Sequence, residues 1–309
     1  MSTGATTLSA PSASAPAVAA TRSRLADYVE LAKPRITILE LVTVVAAMRL
    51  AVAAGGVAWE WGSVVAMLVG TTLLAASANA LNQVLEARFD ALMTRTANRP
   101  LPAGRMSRLE AAVFGTASVA IGVTLLAVGV NGLTAAIGLT SWLLYVGAYT
   151  PMKRVTTWNT FVGAVSGALP IVMGWTAGGG GLDPRVALGL FLVLFLWQYP
   201  HFMAIAWLCR EDYARAGYKM TTVVEPTGRR AATLAVAGAV LLAPASLLPA
   251  MGLGGSPVYA SVVVVLAVLQ FAVAAMFYRR RDDRSARRLL RASLLYLPAW
   301  MLTLSLCLP

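Results

Sequence analysis

Three oxygen-bearing side chains recur at one spacing in the stretch NQVLEARFDALMTRTANRPLPAGR: Asn82, Glu86 and Asp90. On a helix, steps of four residues keep all three within about 80° of arc. A carboxamide and two carboxylates on one stripe offer hard oxygen ligands of the kind that suit Mg²⁺. Arg95 and Arg99 follow closely, and guanidinium groups fork onto phosphate oxygens. The combined chemistry is a metal held against a diphosphate by acids and clamped by arginines. The same residues also read as a solvated helix end whose acids pair with neighbouring bases, and spacing alone does not separate the two.

A second polar cluster lies in WQYPHFMAIAWLCREDYARAGYKM. His201 and Asp212 are eleven residues apart, about three helical turns, so they share a face if the helix continues. Pro200 is expected to kink that helix. His201 is the only histidine in the chain and falls near membrane depth, where polar side chains are mostly functional; the other reading is a helix-packing hydrogen bond. Arg210 and Asp212 also read as interfacial charges. Between the clusters, Pro151 is expected to break a helix just before Lys153 and Arg154, and Gly163, Ala164, Ser166, Gly167 and Ala168 read as close helix packing. Lys33 and Arg35 sit in AKPRIT. Glu40, just inside the following apolar run, reads as a side chain snorkelling to the interface.

Positioning these residues requires a membrane. Of 309 residues, 58% are apolar and 12% charged, with mean hydropathy +0.71, a composition that excludes a soluble domain. Nine apolar runs can be marked near Ile36–Ala54, Val64–Leu81, Ala111–Val130, Leu133–Tyr149, Phe161–Ala177, Val186–Leu208, Ala231–Met251, Pro257–Tyr278 and Leu289–Leu308. Each must be helical to satisfy its own backbone in hydrocarbon, and none shows the alternation of a barrel strand. All lysines and arginines except Arg49 and Arg185 fall on alternate loops or the N-terminal segment. By the positive-inside rule the N-terminus is expected in the cytoplasm and the C-terminus outside. That pattern accounts for the net charge of +12 without nucleic acid. The run Arg279–Arg291 reads as a topology signal and a contact for anionic lipid. Cys209 and Cys307 form no zinc or disulfide pattern. Residues 1–24 are expected to be a disordered tail, without the apolar core of a signal peptide, and residues 25–309 a single membrane domain.

Four strings in this order, KPRIT at 33–37, NQVLEARFDALMTRTANRPLPAGR at 82–105, YTPMKRVTTWNTFVGAVSGALP at 149–170, and WQYPHFMAIAW with REDYARAGYKM across 197–220, resemble the UbiA superfamily of intramembrane prenyltransferases, in its heme-farnesylating branch. The resemblance covers about residues 31–308. The superfamily pattern in the first motif is Asn followed by two Asp; here Glu86 takes the middle position, and His201 replaces one aspartate of the second motif. The resemblance implies an all-α bundle of nine transmembrane helices around a cavity open to lipid and capped by the loops after the second and sixth spans. It implies farnesyl diphosphate and heme B as substrates, heme O as product and Mg²⁺ as the metal. On that reading Asn82, Glu86 and Asp90 hold one metal ion and Asp212 contributes to a second position. Arg95, Arg99, Lys153, Arg210 and Lys33 neutralise diphosphate, and His201 serves the heme. The expected surroundings are a bacterial inner membrane, with a mitochondrial one as the alternative, and a heme A synthase or oxidase assembly factor as partner. The rivals are a relative acting on a quinone precursor or chlorophyllide, and a secondary transporter, whose polar site would lie nearer the midplane.

Overall fold

The computed structural model describes residues 23–181 and 184–308, so most of the expected N-terminal tail lies outside the described residues. Among those described there is no strand, and nine helical stretches are long and apolar enough to cross a membrane. They are α2 (Pro34–Ala53), α3 (Trp61–Asp90), α4 (Arg108–Gly129), α5 with α6 (Gly132–Leu143 and Thr150–Met152, joined by a π-helical turn), α7 (Asn159–Ala177), α8 (Gly189–Leu208), α11 (Arg229–Gly252), α12 (Pro257–Arg280) and α13 (Asp283–Cys307). Their outward faces expose large apolar side chains such as Ile38, Val65, Val128, Leu295 and Leu306, which suits lipid. Short helices α1 (Arg24–Ala32), α9 (Arg210–Arg215) and α10 (Thr221–Val224) all sit at the end that carries the basic loops. The chain is a multi-pass membrane protein.

Helix α1 begins at Arg24, the last residue of the expected tail, with Ser23 Oγ accepting from Ala26 N as its N-cap. It is tied down by Arg24, which donates to Glu110 at 3.0 Å, and by Arg105, which bridges Asp27 and Glu30 at 2.7 and 2.8 Å. Lys33 then adopts a left-handed conformation, φ 51°, between α1 and Pro34. Such a conformation is costly for a residue with a Cβ and unusual before proline, and it turns the chain sharply into the first span.

Several departures from the sequence expectations have local causes. The second span does not stop near Leu81: α3 continues to Asp90, so Asn82, Glu86 and Asp90 ride on one unbroken helix. Pro151 does not break its helix. Its missing N–H is absorbed by a π-helical turn over Leu144–Tyr149, while Thr150 Oγ1 donates to Tyr145 O at 2.8 Å. Likewise α8 runs through Pro200 but ends at Leu208. His201 and Asp212 therefore do not share a helix face: Cys209 leaves the helical region and Arg210 folds back to donate to Trp207 O at 2.8 Å. Pro170 inside α7 frees the carbonyl of Ser166, and the Ser141 hydroxyl occupies it at 2.8 Å.

The small residues of α7 let α2 approach backbone to backbone. A Cβ on Gly174 would stand 2.1 Å from Val44 O, and one on Gly178 2.4 Å from Met48 O. Neither carbonyl belongs to a flexible side chain, so the helices would have to separate. Gly174→Ala is therefore expected to cost about 1–3 kcal/mol and to lower the thermal midpoint of the detergent-solubilised protein. Gly62→Ala, where an added Cβ meets nothing within 4 Å, should leave it unchanged.

Candidate active site

The lower third of α3 supplies the acids. Asn82, Glu86 and Asp90 are 2%, 6% and 1% exposed, so their stripe faces the bundle and not solvent. Buried carboxylates must be compensated, and each finds a cation from a different part of the chain. Lys153 Nζ lies 2.8 Å from Glu86 Oε1, and also sits over the Tyr149 ring, 4.5 Å from its centroid. Arg99 Nη1 lies 2.8 Å from Asp90 Oδ2. Asn82 Nδ2 donates to Thr150 Oγ1 at 3.1 Å, so the π-helical turn and the first motif are locked together through one hydroxyl. Thr96 Oγ1 donates to Asp90 O at 2.8 Å and closes the loop that returns Arg99 to the helix it left.

Electrostatics at this cluster favour an anion. Burial, and then the nearby Arg99 and Lys153 charges, push Lys33 down from 10.5 to about 7 despite the pull of Glu86 and Asp90. Burial also presses on Lys153, but the Glu86 carboxylate outweighs it and holds the ammonium above its usual range. Arg95 is held up, against its own burial, by Tyr213, Cys209, Asp90 and Asp212. Four cations thus converge on two carboxylates. Tyr218, 2% exposed, has a hydroxyl without a hydrogen-bond partner. Its titration is pushed up by burial, then by Glu86 and Asp90, so it stays a donor.

Asp212 approaches from α9. Its Oδ1 accepts from Thr94 N at 3.2 Å and from Arg215, and Arg215 also donates to Thr94 Oγ1 at 2.7 Å. Those bonds, outweighing burial, hold Asp212 below the usual carboxylate range. The two distant motifs are joined by packing of Met93, Ala216, Tyr218 and Met220 with Phe89 and Tyr213 around them. Lys219 N donates to Lys153 O at 2.6 Å, which fastens the same loop to the end of α6. A cleft of about 280 Å³ opens between α3 and the π-helical turn with α6, lined by Leu85, Glu86, Val146, Thr150, Pro151 and Arg154.

Not every expected residue joins this cluster. Arg210 turns the other way: it pairs with Asp283 at 2.9 Å and lies over the Trp207 ring, 4.7 Å from its centroid. His201 stands apart on α8, stacked on Trp197 at 5.0 Å with Nδ1 3.0 Å from Ser293 Oγ. That hydroxyl already donates its one proton to Leu290 O at 2.7 Å. His201 Nδ1 must then carry the proton it shares with Ser293, which leaves Nε2 with a free lone pair. Sequence reasoning missed Tyr218 and Arg215, although both lie inside the fourth quoted string. Nothing in their spacing shows that their loop folds onto the end of α3.

The donor set suits a hard divalent cation. Among the described residues no three His, Cys, Asp or Glu side chains form a closed metal cage. Mg²⁺ does not require one, since it keeps several waters and takes one or two carboxylates together with substrate phosphates. Asp90 Oδ1 is buried without a partner, and such an acceptor calls for a ligand.

The family pattern of UbiA prenyltransferases matches residues 41–298. A curated protein of Rhodopirellula baltica, "Protoheme IX farnesyltransferase", is 45% identical over 287 residues, covering 90% of this chain and 98% of its own length. Among solved structures, a digeranylgeranylglyceryl phosphate synthase superposes with TM-score 0.75 at 15% identity, over 92% of this chain and 98% of that one. A UbiA homolog from Archaeoglobus fulgidus, bound to GPP and Mg²⁺, does so with TM-score 0.64 at 16% identity, over 91% and 100%. With the family pattern spanning most of the chain and a near full-length relative at 45% identity, the chain belongs to the UbiA prenyltransferase family.

Proposed function

We propose that this protein transfers the farnesyl group of farnesyl diphosphate to a vinyl group of heme B, giving heme O. The observation that carries the reading is the buried array at the end of α3, where Glu86 and Asp90 meet Lys33, Arg95, Arg99 and Lys153. Such an excess of positive charge beside a carboxylate pair is what a prenyl diphosphate with its metal would neutralise. The choice of farnesyl and heme rests on the likeness to the Rhodopirellula baltica protein, and the choice of Mg²⁺ is supported by the Archaeoglobus fulgidus relative that binds GPP with it.

In this mechanism Asn82, Glu86 and Asp90 would hold Mg²⁺, and Asp212 would contribute to a second position. The bound metal supplies Lewis-acid neutralisation of the leaving charge. Arg95, Arg99, Lys153 and Lys33 grip the diphosphate oxygens, and Tyr218 donates a further hydrogen bond as charge accumulates on them. Arg210, engaged with Asp283, acts by fixing the end of α8. The apolar bundle keeps water from the allylic cation until the vinyl carbon attacks. His201 receives heme through its free Nε2, with Ser293 setting the tautomer, as partners behind a histidine ligand commonly do. The basic loops face the cytoplasm, residues 25–309 act as one domain, and a heme A synthase or oxidase assembly factor accepts the product.

Heme extracts of cells expressing the chain should contain a later-eluting, more apolar heme, which is absent with Asp90→Ala although that protein still inserts in the membrane. Normal product from the variant would overturn the metal assignment. EDTA should silence the purified enzyme and Mg²⁺ restore it. For His201→Ala, the KM for heme B should rise about tenfold with the KM for farnesyl diphosphate unchanged.

Lys33 gives a pH signature. Its ammonium, the form that attracts diphosphate, is present below about 7, so above that pH binding must take up a proton. The Kd for farnesyl diphosphate should then rise with pH by up to about tenfold per unit above that shared with Lys33→Met. Parallel profiles for the two proteins in calorimetric titrations would remove Lys33 from the site.

A further inference from the structure

The acids of the first motif all have cations; one carboxylate inside a span does not. Glu40 has no ion pair or hydrogen bond among the described residues, and it lies on α2 within the membrane-crossing segment. Its direction follows from helical phase. Thr37, Thr43, Val44, Ala47, Met48, Leu50 and Ala51 are 5%, 3%, 0%, 0%, 1%, 1% and 1% exposed and occupy about 160° of arc, with Glu40 near the middle of it. Ile38 and Val42, on the other side, are 60% and 53% exposed. Glu40 therefore points inward and not to the lipid interface, yet it is only half-buried while its neighbours on the stripe are sealed. An inward side chain that stays accessible faces an opening inside the bundle.

Helix α7 shows the other wall of that opening. The close approaches of Val44 to Gly174 and Met48 to Gly178 put Glu40 level with Pro170, one turn from Gly167. Gly167 is itself exposed although α7 is the most buried span, 72%. A Cβ there would stand 2.4 Å from Gln198 Oε1 on α8, three residues before His201. Glu40 is seven steps along the chain from Lys33, about 10 Å along the axis. The carboxylate thus sits deeper than Lys33 and its diphosphate cluster, level with the part of α7 that packs on α8 beside Gln198.

We infer that Glu40 is the base that takes the proton from the water completing the reaction, an inference that rests on the heme-farnesylating reading. The C–O bond of farnesyl diphosphate breaks and its electron pair leaves with diphosphate. The vinyl π pair of heme B forms a C–C bond to the farnesyl carbon and leaves a cation on the carbon next to the pyrrole. A water lone pair forms the C–O bond to that cation, and Glu40 accepts the proton released. The sum is heme B, farnesyl diphosphate and water giving heme O, diphosphate and one proton. A base must reach the water without being neutralised by a fixed cation, which excludes Glu86 and Asp90 and describes Glu40.

The test follows product identity in purified enzyme supplied with heme B, farnesyl diphosphate, Mg²⁺ and ¹⁸O-labelled water. Wild type should form labelled hydroxyl product; if it forms none, the functional reading fails and not the role of Glu40. Glu40→Gln should lower kcat about a hundredfold with both KM values within about twofold. Its residual product should include a heme lighter by one water, in which the cation has lost a proton to form an alkene. Glu40→Asp, which keeps the carboxylate on a shorter stem, should restore part of the hydroxylated product. Wild-type rate and product from Glu40→Gln would overturn the inference, as would a loss confined to farnesyl diphosphate affinity. Should Glu40→Gln fail to fold, an Asp variant with wild-type rate and no alkene would overturn it equally.

Discussion

Charge buried at one end of an apolar bundle has to be matched, and the site is organised around that demand. Removing one member of a buried pair costs about 3–5 kcal/mol, because the survivor is left uncompensated. Glu86 with Lys153 and Asp90 with Arg99 meet the demand for the acids. The cations are oversupplied, since Lys33 and Arg95 press on the same volume. A protein that only needed to bury two carboxylates would not add them. The imbalance is held in place by folding, so an entering polyanion meets dipoles and charges that need no rearrangement, the condition under which electrostatic stabilisation is strongest.

The fold serves this cluster by bringing together pieces far apart in sequence. Lys153 reaches Glu86 because a π-helical turn shifts the face that α6 presents, and Asn82 holds that turn through Thr150. The loop after α3 doubles back under its own helix so that Arg99 meets Asp90. The loop after α8 is seated on it by the Met93–Tyr218 cluster. Irregular backbone is admissible here because the loops are tied by hydrogen bonds at the bundle's end and not exposed to hydrocarbon.

The spans and the acidic stripe were legible because each depends on a local period: about twenty apolar residues per crossing, and four residues per step for Asn82, Glu86 and Asp90. What escaped depends on contacts distant in sequence. Arg210 and Arg99 look alike in the chain, each a basic residue close to an acidic helix end. Only the packing of α13 against α8, which delivers Asp283 to Arg210, separates their roles. The shared face of His201 and Asp212 failed at Cys209, where a side chain folding back on its own helix ended it, an event that no periodicity encodes. Helix α1 carried a signal that went unused, the N-cap serine ahead of an amphipathic turn.

Glu40 shows how far environment divides residues of one chemical type. Glu86 and Glu40 belong to adjacent helices of one bundle, and either could be taken for an interfacial acid. Glu86 is fixed by Lys153 and almost sealed, which suits it to hold a cation or a metal. Glu40, without a fixed cation and open to the interior, has the opposite character. Paired carboxyl groups with divergent surroundings are a recurring sign of divided labour in catalysis. Here the division runs along the membrane normal, with charge neutralisation at the basic end and proton transfer about two turns deeper. A prenyl diphosphate has the same polarity, its anionic head at one end and its reacting carbon next to it on the apolar side. Head and acceptor therefore need different acids at different depths, and α2 and α3 supply one set each.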